Sequence, residues 1–77
     1  PAGVTRPAEI TRLVRAAFTQ RRKTLSNALK ALATADGLDA AAILRAAAID
    51  PSRRPETLQL VEFSALADAW RAAVEAP

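Results

Sequence analysis

The chain has 77 residues, with 11 Lys or Arg against 8 Asp or Glu, a net charge of +3, and neither Cys nor His. That length supports one small domain and falls short of an enzyme carrying its own cofactor fold. Disulfide frameworks and the usual zinc sites are excluded, and no apolar run is long enough to span a bilayer. Alanine supplies 20 residues while Val and Ile together supply seven, and no stretch alternates like a half-buried strand. Alanine carries the lowest cost of any residue in a helix. The composition therefore predicts a single all-α domain over residues 1–77, a small orthogonal bundle of about four short helices. A start at Pro1 rather than Met fits a piece excised from a longer protein, with residues 1–6 as an extended entry.

The first helix is predicted to open at Pro7, whose missing N–H suits a first turn. Ile10, Leu13, Val14, Ala17 and Phe18 then recur at helical spacing and form one apolar stripe that ends in Phe18 as a core residue. Arg12 and Arg15 lie off that stripe, on a face that reads most simply as solvated, with Glu9 one turn before Arg12.

The second helix is predicted from Thr19 or Gln20 to between Ala33 and Ala35, burying Leu25, Leu29 and Leu32. Its opening is unusual, because Arg21, Arg22 and Lys23 stand ahead of the apolar pattern. A first helical turn carries unpaired N–H groups and partial positive charge, so cations are disfavoured there unless something anionic offsets them. A phosphate backbone would do so, and so would an acid elsewhere in the chain such as Asp50, Glu56 or Glu62. On a helical wheel Lys23 and Lys30 share the solvent side, whereas Arg21 and Arg22 lean toward the apolar side. That arrangement assigns one arginine to an internal ion pair and the two lysines to solvent.

Gly37 supplies a helix stop. A third helix is predicted over Leu38–Ala48, burying Ile43, Leu44 and Ala47 and ending at Asp50-Pro51. Residues 50–58 form a connector stiffened by two prolines. A fourth helix runs from Leu60 to Val74 with Leu60, Phe63, Leu66, Ala67, Trp70 and Val74 as its apolar face. Gln59 and Glu62 make an imperfect capping box before it, since Gln caps poorly. The charge is unevenly spread: residues 1–30 carry +6 and residues 31–77 carry −3. Such polarity favours one basic face for an anionic partner.

Two ordered motifs then point to a family. Phe18-Thr19-Gln20-Arg21-Arg22-Lys23-Thr24-Leu25 with Asn27-Ala28-Leu29-Lys30 resembles the signature opening the C-terminal domain of the small-subunit ribosomal RNA adenine N6-dimethyltransferases. Ala48-Ile49-Asp50-Pro51, Arg54-Pro55-Glu56-Thr57-Leu58, Val61-Glu62-Phe63 and Leu66-Ala67 extend the likeness through the second half. The resemblance implies a helical domain whose catalytic partner lies upstream, in a cytoplasmic enzyme. That enzyme transfers methyl groups from S-adenosylmethionine to two adjacent adenines near the 3′ end of the small-subunit RNA. The domain's implied role is docking on ribosomal RNA and the pre-ribosomal small subunit, with Arg12, Arg15, Arg21, Arg22, Lys23 and Lys30 as candidate RNA contacts.

The residues hold no Gly-rich cofactor loop and no Asn- or Asp-led Pro-Pro-aromatic tetrapeptide. No catalytic, cofactor-binding or metal-binding residue is therefore expected in this segment, and methyl transfer by it alone is not. Three positions depart from the family pattern: Ala48 replaces a usual Gly, Gln59 a usual Ser, and Ser26 a frequent Arg. If position 48 has positive φ, Ala there is strained. Two other readings fit a basic helical module, a stand-alone helix-turn-helix DNA binder and a protein-interaction domain meeting an acidic partner. No helix rich in Asn, Gln and Arg favours the DNA binder.

Overall fold

The computed structural model describes residues 7–75, with side chains from Glu9 onward; the expected entry over residues 1–6 lies outside them. Among the described residues there are five α-helices, one 3₁₀ turn and no strand. In chain order these are α1 (Pro7–Thr19), α2 (Leu25–Ala28), α3 (Lys30–Ala35), α4 (Ala40–Ala46), the 3₁₀ turn Pro55–Thr57 and α5 (Leu60–Glu75). The long α5 packs on both α1 and α4, and α2 sits against α1, α3 and α4. This is the small all-α bundle that the alanine-rich composition implies.

One core joins these elements. Leu13, Leu25, Leu29, Ile43, Leu44, Phe63, Leu66 and Trp70 are buried in it, with Val14 and Leu32 packed against its edge. Leu29, read from spacing alone as a core residue, has no exposed surface. Three expected core positions behave otherwise. Phe18 remains 40% exposed, Leu60 72% and Val74 53%. Phe18 lies at the last turn of α1 and Leu60 and Val74 at the ends of α5, where the stripe overruns the element that would cover it.

The second predicted helix is corrected in two ways. It begins at Leu25 rather than Thr19 or Gln20, and it breaks at Leu29, whose φ of −96° and ψ of 0° separate α2 from α3. The start has a long-range cause. Thr24 makes no side-chain cap; instead Leu25 N–H donates to the Arg53 carbonyl at 2.7 Å and Ser26 N–H to the Pro51 carbonyl at 3.1 Å. The 50–58 connector thus supplies the acceptors that a helix start lacks.

Two helix stops share one geometry. After α3, Gly37 N–H reaches the Thr34 carbonyl at 3.0 Å and Leu38 N–H the Ala33 carbonyl at 2.7 Å. After α4, Ala48 N–H reaches the Arg45 carbonyl at 2.9 Å and Ile49 N–H the Leu44 carbonyl at 2.8 Å. Both are Schellman stops, which need a left-handed residue at the turn. Gly37 has φ +73° and Ala48 has φ +61°. The strain anticipated for Ala48 is therefore present, and the stop falls before Asp50-Pro51 rather than at it. At the other end of α4, the Asp39 side chain accepts from Ala41 N–H at 3.0 Å as N-cap.

Candidate nucleic-acid interface

The residues between α1 and α2 form a turn rather than the start of a helix. Gln20 N–H bonds the Ala17 carbonyl at 3.3 Å and Lys23 N–H the Gln20 carbonyl at 2.9 Å, which folds Arg21, Arg22 and Lys23 outward. All three are exposed. With Phe18, Thr19 and Gln20 they line an open depression of about 380 Å³. The anomaly of cations in a first helical turn disappears, because the helix starts after them. So does the idea of a phosphate seated on that helix N-terminus, whose first N–H groups are occupied by the connector.

The ion-pair assignment also changes. Neither Arg21 nor Arg22 pairs with Asp50, Glu56 or Glu62. Glu62 is taken by Arg53: Nη1 donates to Oε2, and Nη2 to Oε1 at 3.2 Å. Arg53 also donates from Nε to Thr57 Oγ1 at 3.2 Å and from Nη2 to the Thr57 carbonyl. Glu62 Oε1 in addition accepts the Gln59 N–H at 2.9 Å. That is the reciprocal half of the capping box. The Arg53 hydrogen bond first, and the Gln59 N–H second, hold the Glu62 carboxyl below its ordinary range, while Glu62 raises Arg53.

Arg54 has a different target. Its Nη1 donates to the backbone carbonyl of Arg22 at 2.6 Å. A cation from the second motif thereby ties down the turn of the first while that turn's side chains stay exposed. Sequence reasoning missed this strut, because a carbonyl acceptor has no residue signature.

The other candidates separate. Arg12 Nη2 donates to Asp36 Oδ2 at 2.9 Å, and Trp70 Nε1 donates to the same oxygen at 2.9 Å. Arg12 thus belongs to a structural trio rather than to a merely solvated face. The Trp70 bond foremost, with Arg12 behind it, holds Asp36 below the usual carboxylate range against an opposing push from burial. Arg15 is exposed on α1. Lys30 is exposed at the start of α3 and lines a different depression with Ser26, Asn27, Thr34 and Asp39. Lys23 precedes the helix, so the wheel that paired it with Lys30 does not apply. Among the described residues no group of His, Asp or Glu is arranged to hold a metal, and no helix is long and apolar enough to cross a membrane.

Fold and surface together define a small all-α module with one exposed basic turn that meets no acid among the described residues. Its relatives carry the second step. The chain is 52% identical over 63 residues to a ribosomal RNA small subunit methyltransferase A of Anaeromyxobacter sp. (strain K), a match covering 82% of this chain and 22% of that protein. Proteins of the same name from Acinetobacter baylyi and Bifidobacterium longum are 51% and 48% identical, over 77% and 87% of this chain and 19% and 20% of theirs. The resemblance carried by the two motifs is thus upheld: over most of its length the chain is a relative of the ribosomal RNA small subunit methyltransferase A proteins. It spans about a fifth of the length of those relatives. No family model matches the chain, and no solved structure matches it at a significant level.

Proposed function

We propose that this chain is the C-terminal docking domain of a ribosomal RNA adenine N6-dimethyltransferase. In this reading it grips small-subunit ribosomal RNA through backbone phosphates, and the rest of the protein supplies the S-adenosylmethionine site and the adenine pocket. The observation that carries the reading is the 20–23 turn, held from below by Arg54 while Arg21, Arg22 and Lys23 are exposed and meet no acid among the described residues. Fixed cations are the main source of affinity for a phosphate chain, and their effect is read in salt. Arg15 and Lys30 extend the basic surface, whereas Arg12 is committed first to Asp36. Such a domain positions an enzyme on RNA and does no chemistry itself.

The test is a fluorescence-anisotropy titration of small-subunit RNA with this chain across a range of salt. Replacing Arg21, Arg22 and Lys23 by Gln should weaken binding strongly. The slope of log K against log salt should fall by roughly 0.7–0.9 for each phosphate that the variant no longer neutralises. An unchanged slope would remove the turn from the interface. Tighter binding to duplex DNA or to an acidic polypeptide would move the domain to one of the other two readings.

A further inference from the structure

Phe18 is the one large aromatic side chain that the described fold leaves substantially exposed, at 40%, and it does so beside the basic turn. Its ring leans on Phe63 with centroids 6.2 Å apart and planes at 37°, so it is propped from the core side. It lines the same depression as Arg21, Arg22 and Lys23. It also borders an apolar depression with Ile10, Val14 and Leu60. Cations and a supported aromatic ring therefore meet in one concave surface. A duplex offers such a surface only phosphates, because its base faces are stacked inside. A single strand offers a phosphate and a free base together, and base–aromatic stacking tolerates any sequence.

We propose that Phe18 is a stacking platform for an unpaired base, with Arg21, Arg22 and Lys23 holding the flanking phosphates, so that this surface takes a single-stranded or looped segment of RNA. The proposal rests on the RNA-docking reading and narrows its ligand. The test compares single-stranded and duplex RNA of equal length by anisotropy against the wild-type chain, Phe18→Leu and Phe18→Trp. Phe18→Leu keeps an apolar side chain and removes the π-face; Phe18→Trp keeps the face. Phe18→Leu should weaken single-strand binding about fivefold or more, with duplex affinity and salt slope unchanged, and Phe18→Trp should bind single strands at least as tightly as wild type. Circular dichroism of both variants checks that helicity is retained.

Equal losses on single strand and duplex, or no loss on either, overturn the platform. If wild type still binds with a steep salt dependence in that case, the docking reading survives. If wild type shows no salt-dependent RNA binding at all, both fall. Should Phe18→Leu lose helicity, Phe18→Trp decides: a loss of single-strand binding by a folded Trp variant also overturns the platform.

Discussion

The chain has two short cationic runs, Arg21-Arg22-Lys23 and Arg53-Arg54, and they have opposite fates. Arg53 is wrapped around Glu62 and Thr57, and Arg54 is spent on a carbonyl of the other run. The first run keeps its side chains in solvent. Their difference lies in what each backbone brings within reach. The 3₁₀ turn delivers Arg53 to the first turn of α5, where Glu62 is already fixed by the Gln59 N–H. The 20–23 turn meets no acid among the described residues. Basic residues of equal formal charge are thus divided between holding the fold and facing solvent.

Exchanging those fates by mutation sharpens the contrast. Arg53→Gln should lower the thermal midpoint clearly and leave the RNA salt slope alone, because it breaks a two-pronged ion pair and two hydrogen bonds to Thr57. The Arg21, Arg22 and Lys23 to Gln triple variant should do the reverse, changing stability by no more than about 0.5 kcal/mol. Parallel melting and RNA titration of the two proteins checks both. A triple variant that melts as early as Arg53→Gln would erase the distinction.

Acid should expose the same division. Glu62 and Asp36 both have folded pKa values below their ordinary ones. Each therefore contributes stability that is present above the unfolded carboxylate pKa, about 4, and is lost as pH falls through the folded value. Melting midpoints should stay flat through neutral pH and drop below about pH 4. Glu62→Gln should start lower at neutral pH and show a shallower drop, whereas neutralising the exposed run should leave the profile's shape unchanged. A profile for Glu62→Gln parallel to wild type would show that the pair adds nothing to acid sensitivity.

A smaller effect concerns the stop that leads into the connector. Ala48 sits at φ +61° where Gly37 sits at +73°. Ala48→Gly should stabilise the domain by roughly 0.5–1 kcal/mol, the relief of a left-handed Cβ less the added freedom of the unfolded chain. A denaturant titration measures this, and RNA affinity should not respond. A loss of stability would mean that the methyl group packs usefully.

Local chemistry is legible in the sequence wherever one residue decides the outcome. Gly37 marks a stop, and the half-made capping box at Gln59 and Glu62 is visible in the spacing, whereas position 48 drew notice only because the resembled family usually has Gly there. Leu29 and Phe63 declare themselves as core by periodicity. What stays hidden is set across the chain. The start of α2 depends on carbonyls of Pro51 and Arg53, and Glu62 pairs with Arg53 rather than the first run because the 3₁₀ turn brings them together. Phe18 obeys the apolar stripe in sequence, yet α1 ends one residue later at Thr19 and, among the described residues, its ring stays 40% exposed. Of the six candidate RNA cations, only Arg12 belongs instead to the trio with Asp36 and Trp70, and its acid lies on another segment.

The bond from Arg54 to the Arg22 carbonyl has a consequence for how tightly the surface could grip. A loop that must be ordered by its ligand loses affinity in proportion to the fraction of time it spends in the wrong shape. Here the turn is held from within the fold, by the Arg54 guanidinium. Arg54→Met should therefore weaken the proposed RNA binding severalfold while the salt slope stays close to wild type, since the variant gives up pre-organisation and keeps every cation of the turn. A slope that falls by a full phosphate's worth would instead make Arg54 a phosphate ligand. With the slope retained, the grip of the first run is a property of the second, written into the chain 32 residues away.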